Sequence, residues 1–149
     1  MGAVQVRKMT LADVPQVMEI ERCCFSIPWS QEAFETEIDK NKFARYVVVE
    51  ADGKVAGYGG MWLIVDEAHI TNIAVHPEER GKGYGDLIVK ALIAEAEKEK
   101  IGQMTLEVRV SNHIAQNLYR KYGFEACGIR PEYYGDNHED AVIMWRQGR

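Results

Sequence analysis

The chain has 149 residues, 46% of them hydrophobic and 28% charged, with a formal net charge of −5 at neutral pH. That length buries roughly two-thirds of the unfolded surface and suits one domain, so residues 1–149 are read as a single unit. The acidic balance argues against a direct nucleic-acid partner, which calls for basic patches. No basic segment precedes an apolar core at the N-terminus and no apolar run reaches membrane length, so a cytoplasmic location without a membrane partner is expected. The cysteines are Cys23, Cys24 and Cys127, two adjacent and one left over. Without a Cys-x-x-Cys spacing they read as free thiols, and no metal is expected.

Val4 to Met9 alternates and reads as a first strand. Thr10 is the N-cap expected for a helix over Leu11 to Cys24, where Val14, Val17, Met18 and Ile20 make one apolar face. Pro28 interrupts regular structure, and Ser30 can cap a second helix through about Lys40. Trp29, between two breakers, is either a lid over a cleft or a plug on the core. Arg45 to Glu50 is a strand, and Asp52-Gly53 gives the positive φ values of a type I′ hairpin turn. The returning strand, Val55 to Ile64, holds Gly57, Gly59 and Gly60. Glycines there mark a bulge or a close approach to the backbone.

From Ile70 the chain runs as an apolar strand to Val75 and breaks at His76-Pro77. It then presents Arg80-Gly81-Lys82-Gly83-Tyr84-Gly85 and continues as an amphipathic helix, with Gly102 as its expected C′ residue. Gln103 to Ser111 alternates Met104, Leu106, Val108 and Val110 against Thr105, Glu107 and Arg109. Ser111 or Asn112 caps another helix ending at Gly123, whose Ile114, Ala115, Leu118, Tyr119 and Tyr122 form one stripe. Phe124 to Tyr134 and Ala141 to Trp145 are the last strands. The order is β-α-α-β-β-β-α-β-α-β-β. Ile70 to Ser111 forms a right-handed parallel crossover and the flanking hairpins are antiparallel. The fold class is therefore α/β (α+β): a mixed sheet of six to seven strands with helices on both faces.

A strand entering a glycine-rich turn at a helix N-terminus is a device for holding phosphate. The first helical N–H groups lack internal partners, and the macrodipole adds about half a positive charge there. Asp86 stands where the dinucleotide fingerprint needs its third spaced glycine, and no Gly-Lys-Ser or Gly-Lys-Thr follows a four-residue gap. Arg80-x-x-Gly83-x-Gly85, after Ile73-Ala74-Val75 and a His-Pro turn, instead resembles the coenzyme A pyrophosphate loop of the GNAT superfamily of acetyltransferases. The resemblance covers essentially the whole chain. Within that superfamily, several further segments are similar to the ribosomal-protein alanine N-acetyltransferases of the RimI type. They are Ile27-Pro28-Trp29-Ser30, Asn72-Ile73-Ala74-Val75, Leu106 through Asn112, Ala115 to Tyr119, Tyr122-Gly123-Phe124, Tyr133-Tyr134 and Glu139 to Met144. Ile27, where phenylalanine is common, and His69 are departures.

Acetyl transfer from a thioester to an amine needs a neutral amine, a polarised carbonyl, a proton acceptor and a donor for the leaving thiolate. Glu107 is the base expected from the residues alone. A carboxylate in mid-strand is costly to bury and so should face a wet cleft, unless it simply pairs with Arg109. The resemblance implies the same residue, and implies Tyr119 as the acid. Without it, Tyr119 reads as core and Asn112 as a helix cap. The resemblance also implies acetyl-CoA as co-substrate, held by Ile73, Ala74, Val75, Arg80, Gly81, Lys82, Gly83, Tyr84, Gly85 and Asn112. A backbone N–H near Val75 would hold the carbonyl oxygen. Trp29, Tyr133 and Tyr134 are expected on the acceptor side, and His69 is a reserve base. About a tenth of a protein α-amine is neutral at pH 7, against about one lysine in several thousand. A protein N-terminus is therefore the expected partner, and the resemblance implies that of a small-subunit ribosomal protein. A lysine side chain, a small amine and a non-catalytic acyl-CoA-binding role are the alternatives.

Overall fold

Eleven regular elements make up residues 3–147, the part of the chain that the computed structural model describes. They are β1 (Val4–Lys8), α1 (Val14–Cys24), α2 (Gln31–Asp39), β2 (Ala44–Ala51), β3 (Lys54–Ile64), β4 (Glu67–Val75), α3 (Tyr84–Lys98), β5 (Gln103–Arg109), α4 (His113–Lys121), β6 (Glu125–Arg130) and β7 (Ala141–Gln147). The order matches the sequence reading. One seven-stranded sheet runs β1-β2-β3-β4-β5-β7-β6, and only β4 and β5 are parallel.

Local signals account for most boundaries. Ser30 Oγ accepts the Ala33 N–H at 3.1 Å and starts α2. Asp52 and Gly53 take φ of 52° and 79°, as a type I′ turn requires. The segment from Thr10 begins with a 3-10 turn at Leu11–Asp13 before α1. The end of α3 departs from expectation. Lys100, not Gly102, takes the positive φ, 61°. Its N–H donates to Glu97 O and that of Ile101 to Ala96 O, both at 2.9 Å, the paired bonds of a Schellman motif. Ile101 packs on the core, and that apolar anchor sets the stop two residues before the glycine.

Two cores flank the sheet. On one face α3 and α4 cover Val47, Val49, Met61, Ala68, Ile70, Met104, Leu106 and Val108. On the other α1 and α2 cover Tyr46, Val48, Tyr58 and Ala74. The β3 glycines serve this packing. A Cβ at Gly59 would lie 2.4 Å from Ile88 Cγ2, and one at Gly60 would lie 2.0 Å from Tyr46 Cε1.

Two irregularities shape the centre of the sheet. The β3–β4 register slips from Gly60↔Asn72 to Met61↔Ile70, so Thr71 is bulged. Before the bulge Ala68 and Ile70 face α3; after it Ile73 and Val75 pack there, and Ala74 faces α1. His69 and Asn72, three apart, therefore share the α1/α2 face, because the bulge re-aims the strand. Second, β4 and β5 pair only over Glu67↔Gln103, Ala68↔Met104 and His69↔Thr105. Beyond that they splay, leaving one edge of Ile70–Val75 without a strand partner.

Candidate active site

The loop after β4 is built for an anion. Gly81 and Gly83 adopt φ of 81° and 83°, and a Cβ on either would meet no atom within 4 Å. Side chains are excluded there by backbone conformation and not by crowding. Among the described residues, no protein acceptor takes the N–H groups of Gly81, Lys82, Gly83, Tyr84, Gly85 or Asp86. The last of them open α3, where the helix dipole is positive. Gly85 lies inside α3, where a Cβ would come within 3.2 Å of Leu118 Cδ2, so it allows α3 and α4 to pack closely. Tyr84 is buried in the α3-side core, leaving its N–H for a ligand. Lys82 Nζ pairs with Glu79 at 3.2 Å. Arg80 folds back, its Nε donating to Val75 O at 3.3 Å and its Nη2 to Cys24 Sγ at 3.4 Å.

The side chains of Ile73, Ala74 and Val75 are taken up by the two cores. What β4 offers the cleft is its unpaired backbone edge, which suits an extended chain carrying amide groups. These free donors, the positive-φ glycines and the open edge together fit the pyrophosphate and pantetheine arm of coenzyme A.

Glu107 lies on β5 just past the splay, on the α1/α2 face with Thr105 and Arg109. It does not pair with Arg109. Its Oε1 lies 2.7 Å from His69 Nε2, across the gap on β4, and its Oε2 accepts from Arg130 Nε at 3.1 Å. Its side chain is 7% exposed, against 29% for His69 and 55% for Arg130. Arg109 turns instead to the loop between β6 and β7, reaching Asp136 at 2.8 Å and Glu139 at 3.3 Å. His69 and Arg130 take up Glu107, and the loop carboxylates take up Arg109.

Tyr119 is 8% exposed and packs edge-on to Phe124, 5.9 Å between centroids. Burial pushes its phenol well above the ordinary value, with the nearby Tyr134 adding to the rise. Such a phenol holds its proton at neutral pH. The stripe expected on α4 is narrower than read from the sequence, since Ile114 is 85% exposed. Asn112 acts as the α4 N-cap, its Oδ1 accepting the Ala115 N–H at 3.1 Å. Its amide nitrogen makes no hydrogen bond among the described residues.

The acceptor-side aromatics divide. Trp29 packs tilted on Phe34 at 5.1 Å, a plug on the α1/α2 core, and its indole also lines an open groove. That groove, about 630 Å³, runs along α2 past Thr36 and Glu37 to Trp62. Trp62 stands opposite His69 in the β3–β4 ladder. The expected strand over Phe124 to Tyr134 ends at Arg130, so Tyr133 and Tyr134 belong to the following loop. They meet edge-on at 5.0 Å, and burial raises the Tyr134 phenol to about 12.

Sequence reasoning missed three participants in this region. Arg130 is placed by β6, and Glu21 is buried at 2% exposure under the Trp29 N–H and the Tyr58 hydroxyl. Asn72 has a buried Nδ2 without a partner among the described residues. Only Asn72 carried a local signal, its place in Asn72-Ile73-Ala74-Val75. No group of three or more His, Cys, Asp or Glu able to hold a metal occurs among the described residues. No helix there is long and apolar enough to cross a membrane.

A phosphate loop feeding a helix after a strand that splays from its parallel neighbour defines an acyl-CoA-dependent transferase. The family model for the Acetyltransferase (GNAT) family matches residues 14–124, and the chain belongs to that family. It is an acetyltransferase, and acetyl-CoA is its acetyl donor. Among curated relatives it is 46% identical over 140 residues to a proposed [ribosomal protein bS18]-alanine N-acetyltransferase of Bacillus subtilis (strain 168), covering 94% of this chain and 93% of that protein. It is 35% identical over 143 residues to the [ribosomal protein bS18]-alanine N-acetyltransferase of Escherichia coli (strain K12), covering 93% and 94%. The crystal structure of the ribosomal-protein-S18-alanine N-acetyltransferase from Escherichia coli superposes with a TM-score of 0.88 at 32% identity, over 97% of this chain and 94% of that one.

Proposed function

We propose that this chain transfers acetyl from acetyl-CoA to the α-amino group of a protein N-terminus, the N-terminal alanine of a small-subunit ribosomal protein. The reading is carried by Glu107, a carboxylate just past the point where β4 and β5 part, facing the side of the sheet away from α3. The names of the relatives support the acceptor, and so does the chemistry, because an α-amine is far more readily neutral than a lysine.

In this mechanism the amine, having lost a proton toward Glu107, attacks the thioester carbonyl carbon. The N–C bond forms, the C–S bond breaks, and Tyr119 gives its proton to the thiolate. The second proton of the amine restores the phenol. The free N–H groups of Gly81 to Asp86 hold the pyrophosphate, with Arg80 and Lys82 beside them, and Asn112 meets the coenzyme arm through its free amide nitrogen. The β4 edge at Ile73–Val75 aligns the pantetheine and supplies a backbone N–H to the carbonyl oxygen. Trp29, Tyr133 and Tyr134 border the acceptor, half-wet aromatics suited to a peptide.

The test is release of free thiol by the purified protein from acetyl-CoA in the presence of a peptide that begins with alanine and contains an internal lysine. Acetylation confined to the α-amine is expected. Transfer to the lysine, or to free amines with none to peptides, overturns the acceptor assignment.

A further inference from the structure

We propose that His69 takes the proton from the acceptor ammonium, with Glu107 holding the imidazole in position instead of meeting the amine itself. The inference rests on the N-acetyltransferase reading above and changes which group does the proton transfer.

Both oxygens of Glu107 are occupied, Oε1 by His69 Nε2 at 2.7 Å and Oε2 by Arg130 Nε at 3.1 Å. Its side chain is also the least accessible of the three, 7% exposed against 29% for His69. Each oxygen keeps a second lone pair, but at 7% exposure the carboxylate has little of it to offer an entering ammonium. The imidazole does. With Nε2–H donating to Glu107, the tautomer is fixed and the Nδ1 lone pair is the open base, the arrangement by which a carboxylate orients a catalytic histidine. Among the described residues Nδ1 has no partner, whereas His76 Nδ1 accepts the Glu78 N–H at 3.1 Å.

Position agrees with this role. His69↔Thr105 is the last β4–β5 pair before the strands splay, so the imidazole stands at the fork of the cleft. The bulge at Thr71 puts His69 and Asn72 on one face, the face that carries Glu107. Glu107 from β5 meets the imidazole directly, with Arg130 from β6 on its other oxygen and the phenols of Tyr133 and Tyr134 close to its carboxylate. Glu67 is two residues back on β4, and Glu37 of α2 accepts from the Trp62 indole. Trp62 lies alongside on β3.

The step balances simply. The ammonium N–H breaks and His69 Nδ1–H forms, leaving a neutral amine and an imidazolium against Glu107. The imidazolium later returns its proton to water. No other reactant is needed.

His69→Gln separates this role from a structural one, because the glutamine amide still donates to Glu107. Initial rates with acetyl-CoA and the alanine-starting peptide would be followed from pH 5.5 to 8.5 for the wild type, His69→Gln and His69→Ala. In the wild type, log kcat/KM should steepen toward a slope of two at low pH, one proton from the amine and one from the imidazole. In His69→Gln the slope should fall to one and kcat drop ~100-fold, with KM for acetyl-CoA and Tm unchanged. A His69→Gln enzyme within threefold of wild type, or one that keeps the slope of two, overturns the proposal. So does a wild-type slope of one, or activity lost in His69→Ala but restored in His69→Gln, which marks a purely structural tie. A wild type that releases no thiol with any amine removes the functional reading itself and this inference with it, a result distinct from all of these.

Discussion

The Arg109 guanidinium lies 4.0 Å from the centroid of the Tyr134 ring, so the strand that carries Glu107 also holds the loop between β6 and β7. Asp136 and Glu139 complete the grip, and the bonds from Ser26 and Arg109 hold the Asp136 carboxyl down at about 2. Because Ser26 belongs to the segment between α1 and α2, both sides of the acceptor cleft meet at Asp136. Arg109→Leu should loosen that loop and raise KM for the peptide ~10-fold while KM for acetyl-CoA stays put. Steady-state kinetics with each substrate varied in turn would check it. Equal rises in both would place Arg109 in a general folding role.

Glu107→Gln should lower kcat ~100-fold, since it removes the charge that stabilises a proton on the base, with the dissociation constant for acetyl-CoA little changed. Tyr119→Phe should also lower kcat, because the leaving thiolate loses its proton donor. Calorimetric titration alongside rate measurement distinguishes loss of chemistry from loss of binding. Undiminished turnover in either variant would remove that residue from the mechanism.

Gly83→Val places a branched side chain where φ is 83° and where the anion approaches the first N–H groups of α3. Gly53, at φ 79° in the β2–β3 hairpin, provides a matched control. Both substitutions should cost about 1–2 kcal/mol of stability through the backbone. Only Gly83→Val should weaken acetyl-CoA binding, by at least ~10-fold. Equal affinity in the two variants would contradict the loop assignment.

Glu21 should make stability depend on pH. Burial raises its carboxyl above the ordinary value, although the Trp29 N–H and the Tyr58 hydroxyl pull it back down. A raised carboxyl favours the protonated form in the fold. Its contribution is therefore full below the ordinary carboxylate value and is lost as pH climbs through the raised one. Glu21→Gln can accept the Trp29 N–H through its carbonyl and donate to the Tyr58 oxygen, so it should remove that dependence. Urea midpoints from pH 4 to 8 should show the wild type losing ground to Glu21→Gln as pH rises. Parallel curves would refute the sign.

What the residues determined on their own was local. Alternation in Gln103–Ser111, the Asp52-Gly53 turn, the Ser30 cap and the glycines after Val75 each act over a few positions. Together they gave the element order and the anion loop, because short-range periodicity and backbone preference survive without knowledge of neighbours. That order, with the quoted motifs, was enough for the family. The tertiary structure decided whatever depended on pairs distant in sequence. The Thr71 bulge set which side chains of β4 share a face, and the splay beyond His69↔Thr105 opened the cleft. Through these, Glu107 met His69 and Arg130 and not the Arg109 two residues away. Ile101, by docking on the core, ended α3 before Gly102. Register and packing are properties of the assembled sheet, so no window along the chain contains them.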